Sequence, residues 1–264
     1  MYVVQTITIK ITTEKITMLT HPMIDQLRTM KLTGMLEALS EQLQNSQTKT
    51  LSFEERLSLL IDREQSLRSN RLLQSRLRQA KLHISQATLA DIDYRPDRQL
   101  DKKQILQLSS GDWLQQSQSL ILTGATGTGK SYLACALAHK SCMLGYRPQY
   151  WRVTRLLEEL ELAKADGRYL TLLKSLARLS LLILDDWAMV KLKGIHQQLI
   201  LDVLDDRYQK ASTIITSQLP VTVWYEQIED KTFADAILDR MLGQAQVIQL
   251  NGASMRKNKP KNTT

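Results

Sequence analysis

The sequence predicts an α/β protein in which a parallel sheet of five strands, covered by helices on both faces, follows a small all-helical domain. Three observations lead there. From residue 118 onward short apolar runs alternate with helical periodicities, the pattern of a parallel sheet joined by crossover helices. The first of those runs ends in a glycine-rich loop of the form GxxxxGK[ST], and a later one ends in two adjacent aspartates. Upstream, residues 18–90 carry apolar stripes at helical spacing.

The 264 residues suffice for one such domain plus a smaller helical unit. Apolar residues make up 43% and charged residues 23%, and the five Pro and ten Gly are too few for a disordered or collagen-like chain. The 35 Lys and Arg against 27 Asp and Glu leave a net charge of +8, with a pI of about 9.4. That balance points to an anionic partner, nucleic acid or a membrane surface. No stretch approaches the roughly 18–20 uncharged apolar residues that a bilayer span requires, so a membrane span is discarded; nucleic acid is the expected partner, and no membrane. Cys135 and Cys142 lie seven apart in a helical pattern without a CxxC or Cys/His cluster. They read as reduced core thiols of a cytoplasmic protein.

Residues 1–17 alternate at Ile7, Ile9 and Ile11, but Thr and Lys interrupt the run too often for an export signal. With Met18 directly before the first helical pattern, this stretch reads as an extension or an upstream start. From Pro22 to Leu43 the residues Met23, Leu27, Met30, Leu36, Leu39 and Leu43 form one amphipathic stripe, with Gly34 as its weak point. Ser52 and Glu55 then form a capping box that opens a second helix. If it continues through Leu77, Arg68, Arg71 and Arg78 fall within an arc of roughly 80°. Such a stripe suits a phosphate backbone, because the guanidinium pairs phosphate oxygens through a planar fork; the alternative is a solvated helix face. Periodicity fades after Lys81, and IDYRPDRQLDKK has the composition of a linker, placed at 91–117.

Leu120–Thr123 reads as a strand, and Gly124-Ala125-Thr126-Gly127-Thr128-Gly129-Lys130-Ser131 follows it directly. The glycines allow a tight turn that aims successive N–H groups at the phosphates of ATP or GTP. Lys130 adds a mobile cation, and Ser131 offers a hydroxyl to Mg²⁺. Fifty-five residues after Lys130, the run Leu181–Leu184 ends in Asp185-Asp186-Trp187. Asp185 is placed to hold the metal directly or through water. Asp186 is the candidate base that polarises the attacking water, with a helix N-cap as its alternative role.

Around these motifs, Gln149–Val153 reads as a strand and Thr154–Ala165 as a helix; residues 195–210 are helical and Thr213–Thr216 a strand. A helix over Ala234–Leu242 and a fifth strand over Gln246–Leu250 complete the alternation. Beyond the fourth strand, Gln218 is the candidate to sit between phosphate and acids, with Ser217 behind it. Arg240 and Arg256 stand out in the last third; an arginine near the γ-phosphate stabilises transition-state charge, and the alternative for each, taken as an isolated residue, is a surface side chain. Tyr94 and Trp113, within the linker, read as packing rather than as adenine stacks.

In order and spacing, GATGTGKSYLACALA, LLILDDW, IITSQLPVTVWYEQI, ADAILDRML and NGASMRK resemble the IstB-type helper ATPases of bacterial insertion sequences. These are AAA+ proteins similar to the DnaC helicase loaders and the DnaA initiator. The stretch HPMIDQLRTMKLTGMLEAL is similar to that family's small helical domain, so the resemblance covers about Met18 to Lys257. It implies an AAA+ ATPase domain over 118–264 with a basic tail, and a DNA- or partner-binding domain over 18–90. The implied activity is that of an ATP-dependent homo-oligomer that binds double-stranded DNA and stimulates the transposase of the same element. By the same resemblance Arg240 looks like a trans-acting arginine finger and Arg256 like a nucleotide-sensing arginine. The Asp-Asp pair also occurs in the DnaA-like relatives, whereas Gln218 departs from the Asn common at the sensing position. A nucleotide kinase would need an arginine-rich lid, of which the chain shows no segment. A helicase loader would share the core and differ in the N-terminal domain, and a degenerate scaffold is opposed by intact Lys130, Ser131, Asp185 and Asp186.

Overall fold

The computed structural model describes residues 22–255; the expected extension at 1–17 and the chain from Arg256 onward lie outside the described residues. Two compact units meet at Gln74 and Ser75.

The first unit contains α1 (22–29), α2 (Thr33–Gln44) and α3 (Phe53–Ala80), the last of which continues into the second unit. The single helix expected from Pro22 to Leu43 is two helices, broken at Lys31, whose φ of 57° is left-handed. Gly34 is not the break. It lies in the first turn of α2, where a Cβ would stand 2.6 Å from Glu64 Cα, so its bare backbone lets α2 approach α3 closely. Glu64 uses that approach: its Oε2 accepts from the N–H groups of Gly34 at 2.7 Å and Met35 at 3.2 Å, two of the donors that a helix start leaves without partners. Its Oε1 accepts from Arg68 Nε at 2.6 Å. The capping box is formed, with the Ser52 N–H donating to Glu55 Oε2 at 2.7 Å and the Glu55 N–H donating to Ser52 Oγ at 3.2 Å.

The second unit is built on five parallel strands: β1 (Ser119–Thr123), β2 (Pro148–Arg152), β3 (Leu181–Trp187), β4 (Ser212–Ser217) and β5 (Ala245–Gln249), in the order β2-β3-β4-β1-β5. Because side chains alternate along a strand, adjacent residues serve opposite cores. Ile121, Leu182, Leu184 and Ile215 pack against α7 (Val153–Ala165), α8 (Tyr169–Ala177), α9 (Ile195–Arg207) and α10 (Lys231–Leu242). Leu120, Leu122, Leu181, Ile183 and Ile214 face α4 (Lys102–Ser110), α5 (Asp112–Gln115) and α6 (Lys130–Met143). The sheet is thus covered on both faces, as the sequence predicts.

Two stretches carry more structure than their sequence signals. Helix α8 has no counterpart in the expected alternation. Within 91–117, Asp101 caps α4 by accepting from the Lys103 N–H at 2.8 Å, and Ile105, Leu108, Trp113 and Leu114 join the core. Cys135 and Cys142 are buried free thiols, each pushed up to about 11 by burial. Arg207 is also buried; it donates to the carbonyls of Leu176, Leu179 and Ser212, and burial brings its pKa down to about 10. Among the described residues no helix is long and apolar enough to cross a membrane.

Since β1, β4 and β3 are neighbours, the loops leaving their carboxyl ends converge, which is where open α/β sheets bind ligands.

Candidate nucleotide-binding site

Gly124–Ser131 leaves β1 and turns directly into α6, whose first residue is Lys130. The turn requires glycine twice over. Gly124 and Gly127 have φ of 146° and 85°, and a Cβ on them would stand 2.1 Å from Leu250 O and from Ser254 Oγ respectively. Thr128 braces the loop from inside, its Oγ1 donating to Ala125 O at 2.9 Å. The Lys130 side chain arches back over the loop, where Nζ donates to Gly124 O at 2.7 Å and Ala125 O at 2.9 Å. Thr126 Oγ1 donates to Gln218 Oε1 at 2.5 Å, tying the loop to the end of β4. Ser217 serves another bond: its Oγ donates to Trp187 O at 2.9 Å.

Across from the loop, Asp185 is nearly fully buried and hydrogen-bonded on both oxygens. Oδ1 accepts from Ser131 Oγ at 2.9 Å and from Thr216 Oγ1, and Oδ2 accepts from the Tyr150 hydroxyl. Burial, and then the bond to Asp185, pushes the Tyr150 pKa far up, so that hydroxyl keeps its proton. Asp186 follows in a left-handed conformation, φ 62°, at a shift in the β3–β4 register. Its N–H donates to Thr216 Oγ1 at 3.2 Å, and its carboxylate lies 3.9 Å from Arg152 Nε. Burial, and then the charge of Asp185, raises the Asp186 pKa above the ordinary carboxylate range. Asp186 does not cap the next helix, since α9 starts at Ile195 after Gly194.

Ser131 Oγ and the Asp185 carboxylate form a hard-oxygen pair suited to Mg²⁺. Among the described residues no group of three or more His, Cys, Asp or Glu could hold a metal. Two protein oxygens fit an ion whose remaining ligands come from phosphate and water.

Beside Gly129 lies a cavity of about 300 Å³ whose walls include Ile92, Asp93, Arg98, Leu100, Tyr132 and Met255. That volume is at the lower end for small-molecule sites, roughly 300–1,000 Å³. Arg98 joins it to the loop, with Nη2 donating to Thr128 O at 2.7 Å and Nη1 donating to Asp93 O. The Met255 N–H donates to Gly127 O at 2.8 Å from the other side. Trp113 is buried in the core and donates its Nε1 proton to Leu108 O at 2.9 Å, and Tyr94 packs against the same core.

The remaining candidates stand apart from this constellation. Arg240, in the last turn of α10, donates to Asp205 at 2.7 Å and Asp239 at 3.3 Å, so its hydrogen-bond partners belong to α9 and α10 and not to the phosphate loop. Arg68, Arg71 and Arg78 are exposed on α3, and Arg68 is already paired with Glu64. Arg256 lies outside the described residues.

The model of the IstB-like ATP binding protein family matches residues 25–263. The chain is 48% identical over 241 residues to the insertion sequence ATP-binding protein y4pL of Sinorhizobium fredii, covering 91% of this chain and 98% of that one. Among solved structures, DnaI superposes with a TM-score of 0.53 at 20% identity, over 64% of this chain and 90% of its own. AMPPCP-bound DnaA from Aquifex aeolicus superposes with a TM-score of 0.55 at 17% identity, over 67% of this chain and 53% of its own. At such identities the two structures speak to the fold alone, a parallel sheet covered by helices on both faces. The phosphate loop, the acid pair and the match over nearly the whole chain lead to one conclusion: the chain belongs to the IstB-like ATP binding protein family and is an ATP-binding P-loop ATPase.

Proposed function

We propose that this ATPase is the DNA-binding helper of a transposase, working in the cytoplasm as a homo-oligomer on target duplex and stimulating insertion of the element that encodes both. The observation that carries the reading is the gathering of Lys130, Ser131, Asp185 and Asp186 at one sheet end, in a chain nearly half identical to a protein named for an insertion sequence. In this reading Gly124, Ala125, Thr126, Gly127, Thr128 and Gly129 cradle the phosphates, and Lys130 counters their charge. Ser131 and Asp185 hold Mg²⁺, which supplies Lewis-acid stabilisation of phosphate charge when bound. Asp186, with its raised pKa, is the base that polarises water. Gln218 senses the phosphate through its bond to Thr126. Arg240 reaches a neighbouring subunit's γ-phosphate, and Arg256 contacts the nucleotide of its own chain. The cavity beside Gly129 takes the base.

Residues 18–90 serve as the DNA- and partner-binding domain, 91–117 as the connection, and 118–264 as the ATPase domain. Arg68, Arg71 and Arg78 supply duplex contacts. Charge distribution makes this sharply testable, because residues 22–74 hold seven Lys and Arg against seven Asp and Glu, whereas 256–264 hold four and no acid. Anisotropy of a labelled duplex across a salt series is expected to show steep salt dependence, little sequence preference and tightening with ATP. Each phosphate-contacting arginine contributes roughly 0.9 to the slope of log affinity against log salt, so replacing all three by Ala flattens it. An unchanged slope would move the contact to the basic tail. A second experiment addresses assembly. Arg240→Ala and Asp186→Asn chains, each inactive alone, are expected to regain part of the turnover when mixed, and no recovery from mixed oligomers would leave Arg240 without a role in trans.

A further inference from the structure

A carboxylate as buried as Asp185, 2% exposed, needs donors for its oxygens, and which donors it has decides how it can turn. Its three hydroxyl partners are not equivalent. Ser131 belongs to the phosphate loop and bonds Oδ1 at 2.9 Å. Thr216 also bonds Oδ1 while accepting from the Asp186 N–H, so it ties the two acids together. Tyr150 bonds the other oxygen, Oδ2, from the middle of β2. The terminal torsion of an aspartate is broad and roughly two-fold, so a carboxylate held at one oxygen can swing and one held at both cannot. The ring that carries the Tyr150 hydroxyl is itself held, 8% exposed and stacked on His83 with centroids 5.8 Å apart and planes at 19°. No sequence motif marks either residue.

We propose that Tyr150 is a positioning residue for the metal: its hydroxyl fixes the rotation of the Asp185 carboxylate so that Oδ1 stays turned toward Ser131, and His83 fixes the Tyr150 ring. This rests on the reading of Ser131 and Asp185 as the metal-holding pair. Without the hydroxyl, Oδ2 loses its donor in a buried setting and the carboxylate turns to find another, weakening the oxygen pair while leaving the phosphate loop intact.

The test uses the full chain and a fluorescent ATP analogue, with affinity measured in EDTA and across a Mg²⁺ series. Tyr150→Phe keeps the ring and the packing. It is expected to leave the affinity in EDTA unchanged and to raise the Mg²⁺ midpoint roughly ten-fold or more, the scale of one lost hydrogen bond to a charged group. His83→Ala, at an exposed position, is expected to shift the midpoint in the same direction by less. Ser131→Ala reports on the underlying reading. A raised midpoint in Ser131→Ala with none in Tyr150→Phe would overturn the proposal, and so would a Tyr150→Phe chain weakened equally in EDTA and in Mg²⁺. If neither Ser131→Ala nor Asp185→Asn moves the midpoint, the metal-holding pair itself is misread, and the role of Tyr150 falls with it.

Discussion

Two buried carboxylates in this chain are held by hydrogen bonds to different ends. Glu64 accepts from a guanidinium and from two N–H groups at the start of a helix, all of which carry positive charge or partial charge. Its own charge is thereby balanced within the fold, and its pKa lies below the ordinary glutamate range, chiefly because of Arg68. Asp185 accepts from three neutral hydroxyls, which orient its charge without cancelling it. A buried acid balanced inside the protein joins helices, whereas one that is only oriented remains able to attract a cation. Burial alone would not have separated the two, since Glu64 is 7% and Asp185 2% exposed; the chemistry of the donors does.

Removing one charge at a time breaks the comparison where it is strongest. Asp185→Asn keeps the volume and accepts hydrogen bonds through one oxygen, but offers no charge to a metal. It is expected to lower ATP turnover by roughly 10²–10³-fold, the cost of removing one preorganised electrostatic group, with little change in melting temperature. Turnover within a few-fold of wild type would show that Asp185 is structural, as Glu64 is. The effect at Glu64 is smaller and of the other kind. Because its folded pKa is depressed, the ionised form contributes stability above the unfolded pKa, and that contribution is lost as pH falls through the folded value. Glu64→Gln is therefore expected to melt earlier than wild type at neutral pH, to converge on it in acid, and to bind ATP normally. Melting curves that stay parallel down to acid pH would contradict the assignment.

Much of the ATPase unit was legible because its signals are local. The phosphate loop is eight consecutive residues with a strand before and a helix after, and the acid pair ends an apolar strand, so both stand out without tertiary information. What surrounds them was not legible, for a physical reason. Tyr150 and Thr216 act through single hydroxyls brought to Asp185 by strand register, and a Tyr or Thr in a strand has no spacing that announces such a bond. The cavity beside Gly129 joins residues 91–100 to Met255, far apart in sequence, and the first of these sit in a stretch whose Pro and charge content read as a linker. Helix α8 is nine residues, too short for a stripe to repeat convincingly. At Gly34 the sequence showed a helix-weakening residue, but its purpose, the close approach of Glu64, depends on a helix thirty residues away.

The central claim is that the acid pair serves hydrolysis while the loop serves binding. Parallel measurement of nucleotide affinity and of ATP turnover in Lys130→Ala and Asp186→Asn tests it most directly. In the proposed roles Lys130 contacts phosphate in ground and transition states alike, so Lys130→Ala is expected to lose nucleotide binding, and turnover with it. In the same proposal Asp186 acts on water alone, so Asp186→Asn is expected to bind ATP with wild-type affinity while turnover falls by roughly 10²-fold or more. An Asp186→Asn chain that hydrolyses ATP at the wild-type rate would contradict the account.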